Sequence, residues 1–188
     1  TQEQIQQIIN LKLTDHVWMD GMADRSEVRN VPSLTVQQPT MQQPIELQDA
    51  SDQYNALKDQ GKYQEALPFA QEAVCLAEAK FGKDDGDTSV YLNNLGLLYN
   101  NLGDYAKAEP LYKRALEIDE KALGPDHPDV ARDLNNLGLL YNNLGDYDKA
   151  EPLLKRALEI WEKQLGPDHP DVALGLNNLG MLYRTLGE

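Results

Sequence analysis

The sequence predicts an all-α fold, a solenoid of antiparallel helix hairpins stacked side by side, and two observations carry that reading. Leu92 to Tyr105, LNNLGLLYNNLGDY, returns at Leu134 to Tyr147 and again, shortened and slightly altered, at Leu176 to Gly187, with a spacing of 42 residues each time. Self-similarity at one fixed period marks a protein in which no unit buries its apolar face alone and neighbours must cover it. Within each copy the apolar residues fall at helical spacing.

The chain opens on a segment outside that repeat. Thr1 to Leu13 places Ile5, Ile8 and Ile9 at helical spacing, which predicts a short amphipathic helix or the tail of an upstream element. Asp15 to Asn30 has no clean period. Val31 to Pro44 is rich in Pro and Gln, carries no helical stripe, and reads as a linker. Pro44 suits the first position of a helix, because its missing N–H would be unpaired there anyway, so the first repeat helix is expected near Ile45. Residues 1–44 are therefore a poorly structured flanking segment. Residues 45–188 form the array, divided at about 45–87, 88–129, 130–171 and a partial unit at 172–188.

Leu47 to Gly82 is a divergent first repeat: Gly61, Tyr63, Ala66, Pro68, Ala73 and Gly82 stand one period before Gly103, Tyr105, Ala108, Pro110, Ala115 and Gly124. Its first helix lacks the Asn pairs, and terminal repeats are atypical because one face caps the stack. Cys75, among Ala and Val neighbours, reads as a small buried hydrophobe.

In the next unit Leu92, Leu95, Gly96, Leu98, Tyr99 and Leu102 form one apolar stripe, the buried face of a helix about four turns long. Asn93, Asn94, Leu97, Asn100 and Asn101 fall together on another side. Asn is a poor interior helix former, so something other than helix propensity placed four amides there. Gly103 is expected to stop this helix, with Asp104 accepting amide hydrogen bonds at the start of the next. The second helix, roughly Tyr105 to Leu123, carries Ala108, Leu111, Tyr112, Ala115, Ile118 and Ala122 on one face and Lys113, Arg114, Glu117 and Glu120 on another. Small residues facing each other, Gly96 with Ala108 and Gly138 with Ala150, predict a close approach of the paired helices.

The third unit nearly copies the second, differing at Ala106/Asp148, Tyr112/Leu154, Asp119/Trp161, Ala122/Gln164, Arg132/Leu174 and Asp133/Gly175. Between them LGPDHPDV ends one helix at Gly124 and starts the next near Pro128, with Asp126 or His127 as its cap. Pro110 and Pro152 lie more than one turn into the second helices, where a missing donor and a ring clash are expected to bend them. Trp161 reads as a packing residue. The chain begins without Met and stops at Glu188, where a second helix of a new repeat would begin, so it reads as a piece of a longer protein.

A net charge of −14, spread through every segment, argues against nucleic acid or an anionic membrane surface as a partner. A single cysteine rules out an internal disulfide framework, and three scattered histidines give no metal-site spacing. His127 and His169 beside Asp126 and Asp168 fit capping chemistry. The absence of a nucleophile–base pair, phosphate loop or carboxylate dyad predicts a protein that is not an enzyme and holds no cofactor.

The small, aromatic and Ala positions Leu92, Gly96, Tyr99, Ala108, Tyr112 and Ala115 resemble the tetratricopeptide repeat. The longer unit, with LNNLGLLY, YAKAEPLYKRALEI and LGPDHPDVA, closely resembles the repeats of kinesin light chains and of bacterial proteins built from similar units. That resemblance implies a right-handed superhelix whose first helices line a concave groove for an extended peptide of a partner protein. It implies a backbone-reading role for Asn94, Asn136 and Asn178, and points to Arg132 and Arg184 as the basic groove residues. Candidate peptide-contacting residues are thus Asn93, Asn94, Leu97, Asn101, Arg132, Asn135, Asn136, Leu139, Asn143, Asn177, Asn178, Met181 and Arg184. The expected function is a noncatalytic cytoplasmic scaffold for protein binding. The rival readings are a sensor array of a larger signalling enzyme and a structural solenoid that self-associates through its C-terminal end.

Overall fold

The computed structural model describes residues 45–187, so the helix expected at 1–13 and the linker at 31–44 lie outside the described residues. The described residues form helices α1 (Leu47–Asp59), α2 (Tyr63–Lys80), α3 (Gly86–Asn101), α4 (Tyr105–Leu123), α5 (Pro128–Leu144), α6 (Tyr147–Leu165) and α7 (Pro170–Leu186). Each packs on the next in sequence, as antiparallel hairpins do, and α3 also touches α5 as α5 touches α7. No pair of second helices packs to the same extent. First helices that touch while second helices splay put α1, α3, α5 and α7 on the inner side of the curve. The fold is a right-handed α-solenoid.

Repeated glycines fix where the hairpins turn. Gly103 has φ +75° and Gly145 φ +75°, a left-handed conformation that costs a residue without Cβ nothing. Gly103 N–H donates to Asn100 O at 3.0 Å and Asp104 N–H to Tyr99 O at 2.9 Å. Gly145 and Asp146 repeat the pattern on Asn142 and Tyr141. This paired closure satisfies carbonyls that the helix end leaves open. The expected cap at Asp104 does not form: its side chain accepts no amide and instead takes Lys107 Nζ at 2.5 Å. At α5 and α7 the capping residue is histidine. His127 Nδ1 accepts Asp129 N–H at 3.2 Å, and His169 Nδ1 accepts Asp171 N–H at 3.2 Å. Pro128 and Pro170 occupy the first turn.

The helices run through Pro68, Pro110 and Pro152. Each proline removes the donor owed to the carbonyl four residues earlier, on Gln64, Ala106 and Asp148, and all three of those residues are exposed.

The close approach at Gly96 and Gly138 is real, but large side chains fill it. A Cβ at Gly96 would stand 2.8 Å from Tyr112 Cε1, and one at Gly138 2.8 Å from Leu154 Cγ. The equivalent pair in the first unit is Tyr54 and Ala70, both buried. One bulky and one small residue meet inside each hairpin; the first helix supplies the bulk in the first unit and the second helix supplies it in the next two. Junctions between hairpins are also bonded: Arg114 reaches Glu78 at 2.5 Å and Lys83 O at 2.6 Å, and Arg156 reaches Glu120 at 2.8 Å and Pro125 O at 3.1 Å.

Two faces depart from the sequence reading. Cys75 is exposed, because it shares the register of Glu117 and Glu159 while Ala73, Val74 and Ala77 supply the buried face of α2. Ala122 is exposed, and Asp119 is buried in its place.

Candidate functional site

The concave face is built by one stripe of each first helix, with residues spaced by four, three and four so that they stack above one another. On α3 the stripe is Val90, Asn94, Leu97 and Asn101; on α5 it is Arg132, Asn136, Leu139 and Asn143; on α7 it is Leu174, Asn178 and Met181. Val90 and Leu174 are each 46% exposed, and Leu97 and Met181 each 37%. Large apolar side chains left open on the inner surface of a solenoid form a ready contact surface. Val90 and Leu174 were not among the sequence candidates. Their signal was present, since both share the register of Arg132.

The amides divide into two sets. Asn93, Asn135 and Asn178 are buried, at 7%, 3% and 5% exposure. Asn93 Nδ2 donates to Asp133 Oδ1 at 2.5 Å, and Asn178 Nδ2 donates to Asn135 Oδ1 at 2.8 Å. These side chains therefore cross-link neighbouring first helices, which departs from the expectation of an open amide face. The burial has a simple cause: a first helix is covered by its own partner and also by the first helices on either side.

Asn94 and Asn136 are half-buried, and neither side-chain amide has a hydrogen-bond partner among the described residues. Leu139 is half-buried beside them. Asn101 and Asn143 are exposed further along the stripe, with Asn143 Nδ2 donating to Asn100 Oδ1 at 3.1 Å. Arg132 is held by Asp129 at 2.7 Å. Asn177 and Arg184 lie exposed on α7. The structure thus gathers Asn94, Leu97, Arg132, Asn136, Leu139 and Met181 on one face, and withdraws Asn93, Asn135 and Asn178 into the contacts that hold that face together.

Few charges enter this surface, and two perturbed carboxylates, Glu109 and Glu151, lie on the second helices. Glu109 is held below its ordinary value by the hydrogen bond from Lys113 and then by that from Tyr141. Glu151 is lowered in the same way by Lys155 and Tyr183. Among the described residues no cluster of three or more His, Cys, Asp or Glu is placed to hold a metal ion, and no helix is long and apolar enough to cross a membrane.

The tetratricopeptide repeat profile matches residues 55–121, 87–157 and 134–188. The chain belongs to the tetratricopeptide repeat family. Its repeats are of the kinesin light chain type. The crystal structure of BtubC (BKLC) from P. vanneervenii is similar, with 27% identity and a TM-score of 0.67 over 75% of this chain and 56% of that one. This chain therefore spans little more than half the length of that relative. A Podosopora anserina protein described as a kinesin light chain with nearly identical TPR-like repeats matches at 22% identity and a TM-score of 0.68, covering 78% of this chain and 70% of that one. The first TPR domain of Spaghetti (RPAP3), solved bound to an HSP90 peptide, matches at 17% identity and a TM-score of 0.55, covering 77% of this chain and 96% of that one. At these identities the last two show the fold. Comparison with curated protein sequences gives no match.

Proposed function

We propose that this tetratricopeptide array is a noncatalytic, cytoplasmic scaffold that holds an extended peptide segment of a partner protein against its concave face. The observation that carries the reading is the alternation on that face of open apolar side chains, Val90, Leu97, Leu174 and Met181, with the uncommitted amides of Asn94 and Asn136. An amide donates and accepts as a peptide unit does, so it pairs with backbone whatever the sequence bound. The apolar residues supply the contact area, and Arg132 and Arg184 bias the choice of side chain. The first TPR domain of Spaghetti (RPAP3), which shares this fold, is solved bound to an HSP90 peptide, and that supports the reading.

Each net amide–backbone hydrogen bond contributes about 0.5–1.5 kcal/mol, which is roughly a two- to twelvefold change in affinity. Peptides selected from a random library should bind Asn136→Ala more weakly by that factor, and the double variant with Asn94→Ala more weakly again. Because few charges face the groove, affinity should change only mildly between low and physiological salt. Undiminished binding by the double variant would remove the backbone-reading role from these residues.

A second reading is end-to-end self-association through α7. Leu176 is 53% exposed and Leu186 41%, and a Cβ added at Gly180 would meet nothing within 4 Å. Light scattering over a concentration series should then show growth for the parent chain that Leu176→Glu suppresses. A monomer at every concentration rejects this reading.

A further inference from the structure

The junction between the second and third hairpins carries charge where the other junctions carry bulk. Asp119 on α4 and Asp133 on α5 are 2% and 0% exposed. One repeat earlier the same two positions hold Ala77 and Tyr91; one repeat later they hold Trp161 and Gly175. In that later junction the Trp161 ring fills the space over Gly175, with ring carbons 3.3 Å from where a Cβ would stand. Small with large, medium with medium, and large with small all fill a similar volume. Only the middle solution places two acids together.

Asp133 Oδ1 accepts Asn93 Nδ2 at 2.5 Å, which ties α5 to α3. Its other oxygen, Oδ2, and Oδ1 of Asp119 have no donor among the described residues, and the two carboxyls lie within hydrogen-bonding reach of each other. Two buried carboxylates at such range cannot both stay ionised, whereas one proton between them gives each a partner. Nothing larger fits. A cavity of about 370 Å³ lined by Asp85, Asp87, Asp129 and Arg132 adjoins Asp119. Yet both unpaired oxygens have almost no accessible surface, so neither a metal ion nor an ammonium group reaches them. We propose that Asp119 and Asp133 share a single proton and form a pH-sensitive latch joining α3, α4 and α5.

Burial sets the direction of the latch, and the charged groups around it adjust it. Asp85 and Asp87 stand at the start of α3, Glu120 on α4 is paired with Arg156 of α6, and Asp129 on α5 is paired with Arg132. Burial is the main influence on Asp133, and the nearby Asp119 acts with it; the Asn93 hydrogen bond and Arg132 oppose them. The carboxyl is raised to about 8. An unfolded aspartate titrates near about 4. Below that value both states are protonated and the latch contributes fully. Between about 4 and about 8 the folded chain keeps a proton that the unfolded chain has released, so rising pH favours unfolding by up to about tenfold in the folding constant per pH unit. Above about 8 the loss is complete and the slope ends.

The test is urea unfolding of the whole chain from about pH 5 to about pH 9, compared with the double variant Asp119→Trp/Asp133→Gly, which transplants the pair already used in the next junction. Relative to the variant, the parent should lose stability as pH rises and level off near the upper end. Infrared spectra of the folded parent should show a protonated carboxyl band at mildly acid pH that disappears on alkalinisation and is missing from Asp133→Asn. Asp133→Asn keeps the shape of the side chain, so it provides the comparison if the double variant fails to fold. Parallel pH slopes for parent and variants, or no protonated carboxyl band in the folded parent, would overturn the latch.

Discussion

Gly138→Leu should lower stability by roughly 1–3 kcal/mol and fall at the upper end of that range, a shift of several degrees in melting temperature for a chain of this length. The added Cβ alone would stand 2.8 Å from Leu154 Cγ and 3.4 Å from Ala150 O. Cγ is a branch point rather than a flexible tip, and the carbonyl belongs to the backbone of α6, so neither neighbour yields without moving the helix. Gly96→Leu meets the Tyr112 ring at 2.8 Å and should behave alike. Gly180, at the same register in α7, faces open space. There Gly180→Ala should stabilise by about 0.5–1 kcal/mol, because a helix-interior glycine loses more backbone freedom on folding than alanine. Opposite signs at equivalent positions would show that packing, not helix propensity, decides. Equal melting temperatures for Gly138→Leu and the parent would refute the close-packed hairpin.

Trp161→Ala should cost about 3–5 kcal/mol, the range for emptying a large buried aromatic site. Trp161 is 2% exposed among Val130, Ala131, Leu134 and Val172, and its Nε1 donates to Pro128 O at 3.1 Å. Removing it opens a cavity between α5, α6 and α7 and deletes the indole hydrogen bond to Pro128 O. The first junction suggests the remedy: the equivalent positions there hold Ala77 and Tyr91, so Trp161→Ala combined with Gly175→Tyr should recover part of the loss. Thermal unfolding of the three proteins tests this. A double variant less stable than Trp161→Ala would mean that the two positions do not share one space.

The hairpins, the glycine stops and the proline-led starts were legible because they recur at one period and each depends on local chemistry, whereas the cap stayed open between Asp126 and His127 until the His127 Nδ1 contact decided it. Gly96 and Gly138 were legible as packing sites, but not their partners. Helical spacing says which face a glycine occupies and brought Ala150 to Gly138, where its carbonyl stands 3.4 Å from a Cβ, but not that the Tyr112 and Leu154 side chains fill the gaps. The buried amides were misread for a related reason. Periodicity reports the face that a helix turns to its hairpin partner, while Asn93 and Asn135 are covered by neighbouring first helices, a contact that no single repeat contains. Asp119 and Asp133 left a trace in the sequence. Their two positions change together, to Trp161 and Gly175, as a pair sharing a fixed volume must. Cys75 had no such trace, and its small apolar neighbours pointed the wrong way.

On the proposed reading the concave face, and not the outer helices, receives the partner. The most direct measurement places a photo-crosslinking amino acid at Leu139 on the inner stripe of α5 in one variant, and at the exposed outer position Glu117 of α4 in another, each incubated with the same library-selected peptide. Position 139 should give a strong crosslink that unlabelled peptide competes away, and position 117 only background. A competable crosslink from position 117 with none from position 139 would contradict that reading.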